Sequence, residues 1–274
     1  MNEITHHGRT TAYRVADRGS GSQSTGGQNG GGRNDSDAPV LCVHGSGGTH
    51  EVWKAQLGRF AGERPVAALD LSGHGDSEDV NADPGWETLS AYADDVLAVA
   101  AETDASVLVG NSLGGAVALH VAIERDHDFD GLVLAGTGAK LAVLDDLRRW
   151  LESDFDRAVE FLHGPDRLFH DADSRYVRLS TESMREVGRR VTRRDFETCH
   201  EFDVRDRLDE VDVPTLAVVG EHDKLTPPDY HEQLAAEIPD ARYREVLGAA
   251  HLAMLEEPEG FNAALREFLD EEGI

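Results

Sequence analysis

The feature that most constrains this chain is an alternation of two patterns. Short apolar runs bounded by turn residues lie at 40–43, 66–69, 107–109, 132–134 and 216–219. Longer segments with helical spacing fall between and after them, at about 50–62, 88–103, 113–125, 229–237 and 257–271. A run that is apolar at nearly every position suits a strand covered on both faces. Strand then helix, repeated, gives right-handed βαβ units and a mainly parallel sheet. A further run near 243–246 adds a last strand. Residues 13–15 and the run around Ile4 suit an antiparallel hairpin at the first edge.

Two stretches depart from the alternation. Residues 19–37 form a Gly/Ser/Asn/Gln tract with no apolar side chain and read as a flexible surface loop. Residues 141–212 are rich in Arg, Asp, Glu and Leu and contain no strand-like run. They read as a helical cap, inserted between two strands and lying over the strand C-terminal ends, where sheets of this kind bind ligands. The core is then 1–140 and 213–274. Arg185, Arg189, Arg190, Arg193 and Arg194 recur at helical spacing in the insertion, and the expected role is a solvated face paired with nearby acids.

Charge excludes whole classes of partner. The chain has 53 Asp and Glu against 26 Lys and Arg, a net charge of −27. Nucleic acids and anionic membranes both require a basic footprint, so neither is expected as a partner. No stretch approaches the ~18 consecutive apolar residues of a membrane span. Nothing at the start reads as a secretory signal, and Cys42 and Cys199 suit two free thiols, so the expected compartment is the cytoplasm. The lysines are only Lys54, Lys140 and Lys224, and the acids are spread along the whole chain. That composition points to a surface adapted to high salt, where carboxylates that repel one another in dilute buffer are screened.

The chemistry is carried by four segments. Gly110-Asn111-Ser112-Leu113-Gly114 follows one strand and opens a good helix. The glycines keep the turn tight, and the serine is pushed up with its hydroxyl exposed. A serine is a poor nucleophile until a base takes its proton. His251, after the last strand, is the candidate base, and Asp223, 28 positions earlier and also past a strand, is the candidate acid that orients it. Glu221 is the nearest rival for that role. The fourth segment, His44-Gly45-Ser46-Gly47-Gly48, can supply backbone N–H groups to a developing oxyanion. The N–H groups of Ser46 and Leu113 are the expected donors. Gly47 and Asn111 are the substrate-contact candidates, and His44 braces the loop. No metal ligand set is assigned.

These segments, with Asp70-Leu-Ser-Gly-His-Gly-Asp-Ser77 and the run from His251 to Glu259, resemble the α/β-hydrolase fold superfamily in order and spacing. The resemblance implies an eight-stranded, mostly parallel sheet with helices on both faces, no cofactor, and an acyl-enzyme mechanism on a small ester, lactone or thioester. It gives His74 and Ser77 structural roles only. Ser112 sets the chain apart from dehalogenases of this fold, which carry Asp there. Asn111 is similar to C–C bond hydrolases, but Leu252 stands where those enzymes usually carry Trp. The His251 segment is closer to esterases, enol-lactonases and haloperoxidase-like perhydrolases. A non-catalytic ligand receptor of the same fold is the alternative from another class, and a homo-oligomer is left open.

Overall fold

The structure, a computed structural model, describes residues 1–17 and 39–274. The tract read as a flexible loop at 19–37 lies outside the described residues. The strands are β1 Asn2–His6, β2 Arg9–Ala16, β3 Val40–Val43, β4 Val66–Leu69, β5 Val107–Asn111, β6 Gly131–Ala135, β7 Thr215–Gly220 and β8 Ala241–Val246. They form one sheet in the order β1-β2-β4-β3-β5-β6-β7-β8. The hairpin β1–β2 pairs antiparallel, β2 runs antiparallel to β4, and the remaining neighbours are parallel.

The sheet separates two apolar layers because alternate residues of a strand face opposite sides. Leu41, Val43, Leu69 and Leu108 pack on one side with Val96, Val99 and Leu119. Val40, Cys42, Val66 and Val109 pack on the other with Trp53, Phe261 and Phe268. The helices supplying these layers include α1 Lys54–Gly58, α2 Trp86–Thr103, α3 Leu113–Glu124, α7 Pro228–Glu237, α8 Ala253–Glu256 and α9 Pro258–Glu272. Between β6 and β7 stand α4 Asp145–Ser153, α5 Phe155–Leu162 and α6 Ser174–Glu201, followed by a 3₁₀ turn at Arg205–Glu210.

One local expectation is corrected. Residues 50–62 are not one helix but a 3₁₀ turn His50–Trp53, the short α1, and a second 3₁₀ turn Phe60–Gly62. Gly58 and Gly62 fall four apart in that segment, and each lowers helix propensity by about 1 kcal/mol relative to Ala. The long α6 is also interrupted. Gly188 takes φ 83° and ψ 163°, which splits it into 174–187 and 189–201. Among the described residues no helix is long and apolar enough to cross a membrane.

Candidate active site

The loops at the C-terminal ends of β3, β5, β7 and β8 converge on one cavity of about 690 Å³, and the segments between β6 and β7 form much of its remaining wall. Ser112, Thr226 and His251 line it, with Gly45–Gly48 from the loop after β3.

Ser112 occupies the turn between β5 and α3 with φ 56° and ψ −115°. A non-glycine residue in such a conformation costs on the order of 1–3 kcal/mol and persists only where its surroundings over-determine it. Here they do. The Ser112 N–H donates to Ala135 O at 2.9 Å, and its carbonyl accepts from Gly115 N–H, Ala116 N–H and the Thr137 hydroxyl. The flanking glycines are sterically required. A Cβ on Gly110 would lie 2.2 Å from Gly114 O, and one on Gly114 would lie 2.4 Å from Val43 O.

Asp223 and His251 are both buried and meet through Asp223 Oδ2 and His251 Nδ1 at 2.8 Å. The second carboxylate oxygen accepts from the N–H groups of Leu225 and Thr226 at 2.8 and 3.0 Å. Burial opposes the charged form, yet the adjoining His251 and the Thr226 donors hold the Asp223 carboxyl below the usual carboxylate range. Glu221 has a different partner. Its exposed carboxylate accepts the Gly248 N–H at 3.0 Å.

In the loop after β3, the backbone N–H groups are unequally committed. Gly48 N–H donates to Gly45 O, and Gly47 N–H donates to Asp195 Oδ2 at 3.1 Å. Ser46 keeps its N–H without such a partner among the described residues. Gly47 lines the cavity, but its N–H is turned into the α6 helix rather than toward a ligand. Leu113 opens α3, where first-turn N–H groups have no intrahelical acceptor. Asn111 lines the cavity wall, yet its amide nitrogen reaches Ala135 O and His251 O at 3.2 and 3.3 Å. It ties the serine turn to the histidine loop.

His44 braces its loop. The Leu71 N–H donates to Nε2 at 3.1 Å, which leaves the proton on Nδ1, 2.9 Å from Gly45 O. Burial, and then the neighbouring His74, lower its pKa to about 4, so the ring is neutral. Ser77 donates to Asp70 O at 2.6 Å within the turn that follows β4. None of Arg185, Arg189, Arg190, Arg193 and Arg194 lines the cavity. Arg185, Arg190 and Arg193 pair with Asp156, Asp79 and Glu152. Arg194 is buried, bonded to Asp79 and the Tyr92 hydroxyl.

Four features lay beyond sequence reasoning. The Thr226 hydroxyl sits between acid and base, 2.9 Å from Asp223 Oδ2 and 3.2 Å from His251 Nδ1. The segment 166–168 holds both of their loops. Its carbonyls accept from the N–H groups of Lys224, His251 and Leu252 at 3.0–3.1 Å. Asp195 is fully buried and gathers Gly47 N–H, His74 Nε2 at 2.9 Å and the Tyr92 hydroxyl at 2.7 Å. Cys199, one turn on, lies 3.6 Å from the Ser46 hydroxyl, so this free thiol is buried against the loop after β3. Only the pattern Asp195-x-x-x-Cys199 on one helix face hinted at a shared neighbour.

A sheet of this order, with a serine turn after β5 and an Asp–His pair from the loops after β7 and β8, is the arrangement of an α/β-hydrolase. The Alpha/beta hydrolase family model matches residues 40–264, and the chain belongs to that family and is a hydrolase. The chain is 30% identical over 255 residues to a pimeloyl-[acyl-carrier protein] methyl ester esterase of Neisseria meningitidis, covering 86% of this chain and 95% of that protein. It is 29% identical over 243 residues to a 2-hydroxy-6-oxo-6-(2'-aminophenyl)hexa-2,4-dienoic acid hydrolase of Metapseudomonas resinovorans, covering 84% and 83%. A solved thermophilic esterase superposes with TM-score 0.81 at 28% identity, covering 99% of this chain and 98% of that one.

Proposed function

We propose that the protein hydrolyses a small carboxylic ester, lactone or thioester through an acyl-enzyme on Ser112. The observation that carries this reading is the serine held at positive φ in the wall of a cavity, with His251 in the same wall and paired behind it with the buried Asp223. A cavity of about 690 Å³ falls within the ~300–1,000 Å³ of small-molecule sites.

In this mechanism the Ser112 hydroxyl attacks the substrate carbonyl while His251 Nε2 takes its proton. Asp223 accepts the Nδ1–H, fixes the tautomer and stabilises the imidazolium. The carbonyl oxygen becomes an oxyanion held by the N–H groups of Ser46 and Leu113. His251 then gives the proton to the departing alkoxide or thiolate, leaving an ester on Ser112. A water, deprotonated by the same imidazole, attacks that ester, and collapse returns the proton to Ser112. The helices of 141–212 serve as a cap that shapes the acyl side of the cavity and excludes bulk water.

The test is stoichiometric labelling by a serine-directed phosphonate together with turnover of activated esters of graded length. Ser112→Ala should abolish labelling and lower kcat by about 10⁴- to 10⁶-fold with the fold retained. A variant that kept a tenth of the wild-type rate would overturn the assignment.

A further inference from the structure

Of the three lysines in the chain, two line the cavity. Lys224 is paired with Asp166, and Lys140, elsewhere, with Asp203 at 3.0 Å. Lys54 differs from both. It begins α1, is half-buried, and has no carboxylate partner within 4 Å among the described residues. Its Nζ lies instead 4.1 Å from the centre of the Tyr176 ring, on the first turn of α6.

That environment is unfavourable for an ammonium. Burial disfavours its charge, Glu51 partly restores it, and the nearby Arg175 adds repulsion, with a net lowering of the Lys54 pKa. Most of the surrounding wall is apolar, including Val143, Leu147, Phe161, Leu179 and Leu255. The acids lining the cavity are Glu51, Asp70, Asp76, Glu182 and Glu186; Asp70 is buried and bonded to His50, and the other four are exposed. Glu51 is engaged by His50 and Glu182 by Arg178. A cation over an aromatic face recovers only part of its lost hydration. In a chain of net charge −27, an ammonium without a carboxylate partner within 4 Å among the described residues, facing the same cavity as Ser112, is a local attraction for an anion.

We propose that Lys54 is a specificity-determining residue that takes the carboxylate of the substrate. The substrate class is therefore a half-ester of a dicarboxylic acid, with its ester carbonyl at Ser112 and its free carboxylate against Lys54 and the edge of Tyr176. A single ammonium with no surrounding cluster of donors matches one carboxylate rather than a phosphate monoester. The inference rests on the esterase reading above and narrows it to one kind of acyl chain.

The experiment compares monomethyl dicarboxylates of graded length with the corresponding dimethyl diesters, at one high KCl concentration. For wild type, one length of half-ester should be preferred over its diester in kcat/KM. Lys54→Met should reduce that preference about 10- to 100-fold, the loss falling in KM, as expected for removing a charge-assisted bond. Lys54→Arg should restore most of it. Calorimetry of the half-ester on Ser112→Ala reads the subsite without turnover. Binding there that weakens by the same factor on adding Lys54→Met supports the subsite even if no ester is hydrolysed, an outcome that overturns the esterase reading alone. A preference unchanged in Lys54→Met, or a wild type that favours the diester at every length, overturns the subsite while leaving Ser112 as nucleophile.

Discussion

Asp223 and Glu221 stand two residues apart and their carboxylates do different things. Asp223 is buried, meets His251 Nδ1 at 2.8 Å, and is held below its usual pKa, so it stays ionised through the neutral range. An amide there would present N–H to the ring and force Nδ1 to accept, which places the imidazole proton on Nε2, where it cannot serve as base. Asp223→Asn should therefore lower kcat about 10⁴-fold with the structure intact. Glu221→Gln still offers an oxygen to Gly248 N–H and should change kcat by less than about threefold. Steady-state kinetics on one activated ester checks both, and a reversed outcome would move the acid role to Glu221. The convergence of the Ser112, Asp223 and His251 loops was legible because each comes after the C-terminal end of a strand, β5, β7 or β8, and the sheet brings those ends together. Thr226 was not, because its hydroxyl acquires meaning only once the loop folds it between acid and base. Lys54 was not, because its partner ring lies on a helix far along the chain, and a lone lysine carries no pattern.

At the scale of elements, the second half of α6 is fastened to the loop after β3. Asp195 is 148 positions from Gly47 along the chain, yet its carboxylate fixes that N–H and the His74 ring together. The helical character of 141–212 was readable from its composition, but a contact at that separation leaves no local trace. In Asp195→Asn one acceptor becomes an NH₂ group. Three donors would then compete for one oxygen, or a donor would face a donor. The loop that presents the Ser46 N–H would lose its anchor. The expected result is a 10- to 100-fold fall in kcat with KM changed by only about threefold, since the ester still binds before the oxyanion forms. A fall confined to KM would show that the loop's geometry does not depend on α6. The pair also sets a pH window. Although burial opposes it, Asp195 raises the His74 pKa, and His74 lowers that of Asp195. A raised histidine contributes stability below its unfolded value and loses it as pH rises through the folded value. A depressed carboxyl contributes above its unfolded value and loses it as pH falls through the folded one. The wild-type advantage in melting temperature over Asp195→Asn should accordingly be largest in the acidic-to-neutral range and shrink on the alkaline side.

For the whole molecule the governing quantity is charge. Surface arginines are widely engaged: Arg59 with Glu259, Arg266 with Glu63, Arg244 with Glu267, Arg242 with Glu272 and Arg207 with Glu210. Exposed pairs of this kind contribute about 0–1 kcal/mol each and weaken with salt. A stronger effect of opposite sign outweighs that loss. With 53 acids against 26 Lys and Arg, even complete pairing leaves about half the carboxylates without a cation. Their mutual repulsion opposes the compact state, and the ions that weaken the pairs also screen that repulsion. The melting temperature should therefore rise by several degrees between ~0.1 M and ~2 M KCl, as the screening length falls from about 10 Å to below 3 Å. An uncharged osmolyte of equal osmolality should give a smaller rise, because it favours burial without screening charge. The anionic half-ester and its neutral diester supply a second readout. Screening of the long-range field should raise the association rate of the half-ester relative to the diester across the same series. A melting temperature that stayed flat or fell with KCl would refute adaptation to salt and leave the chemistry at Ser112 untouched.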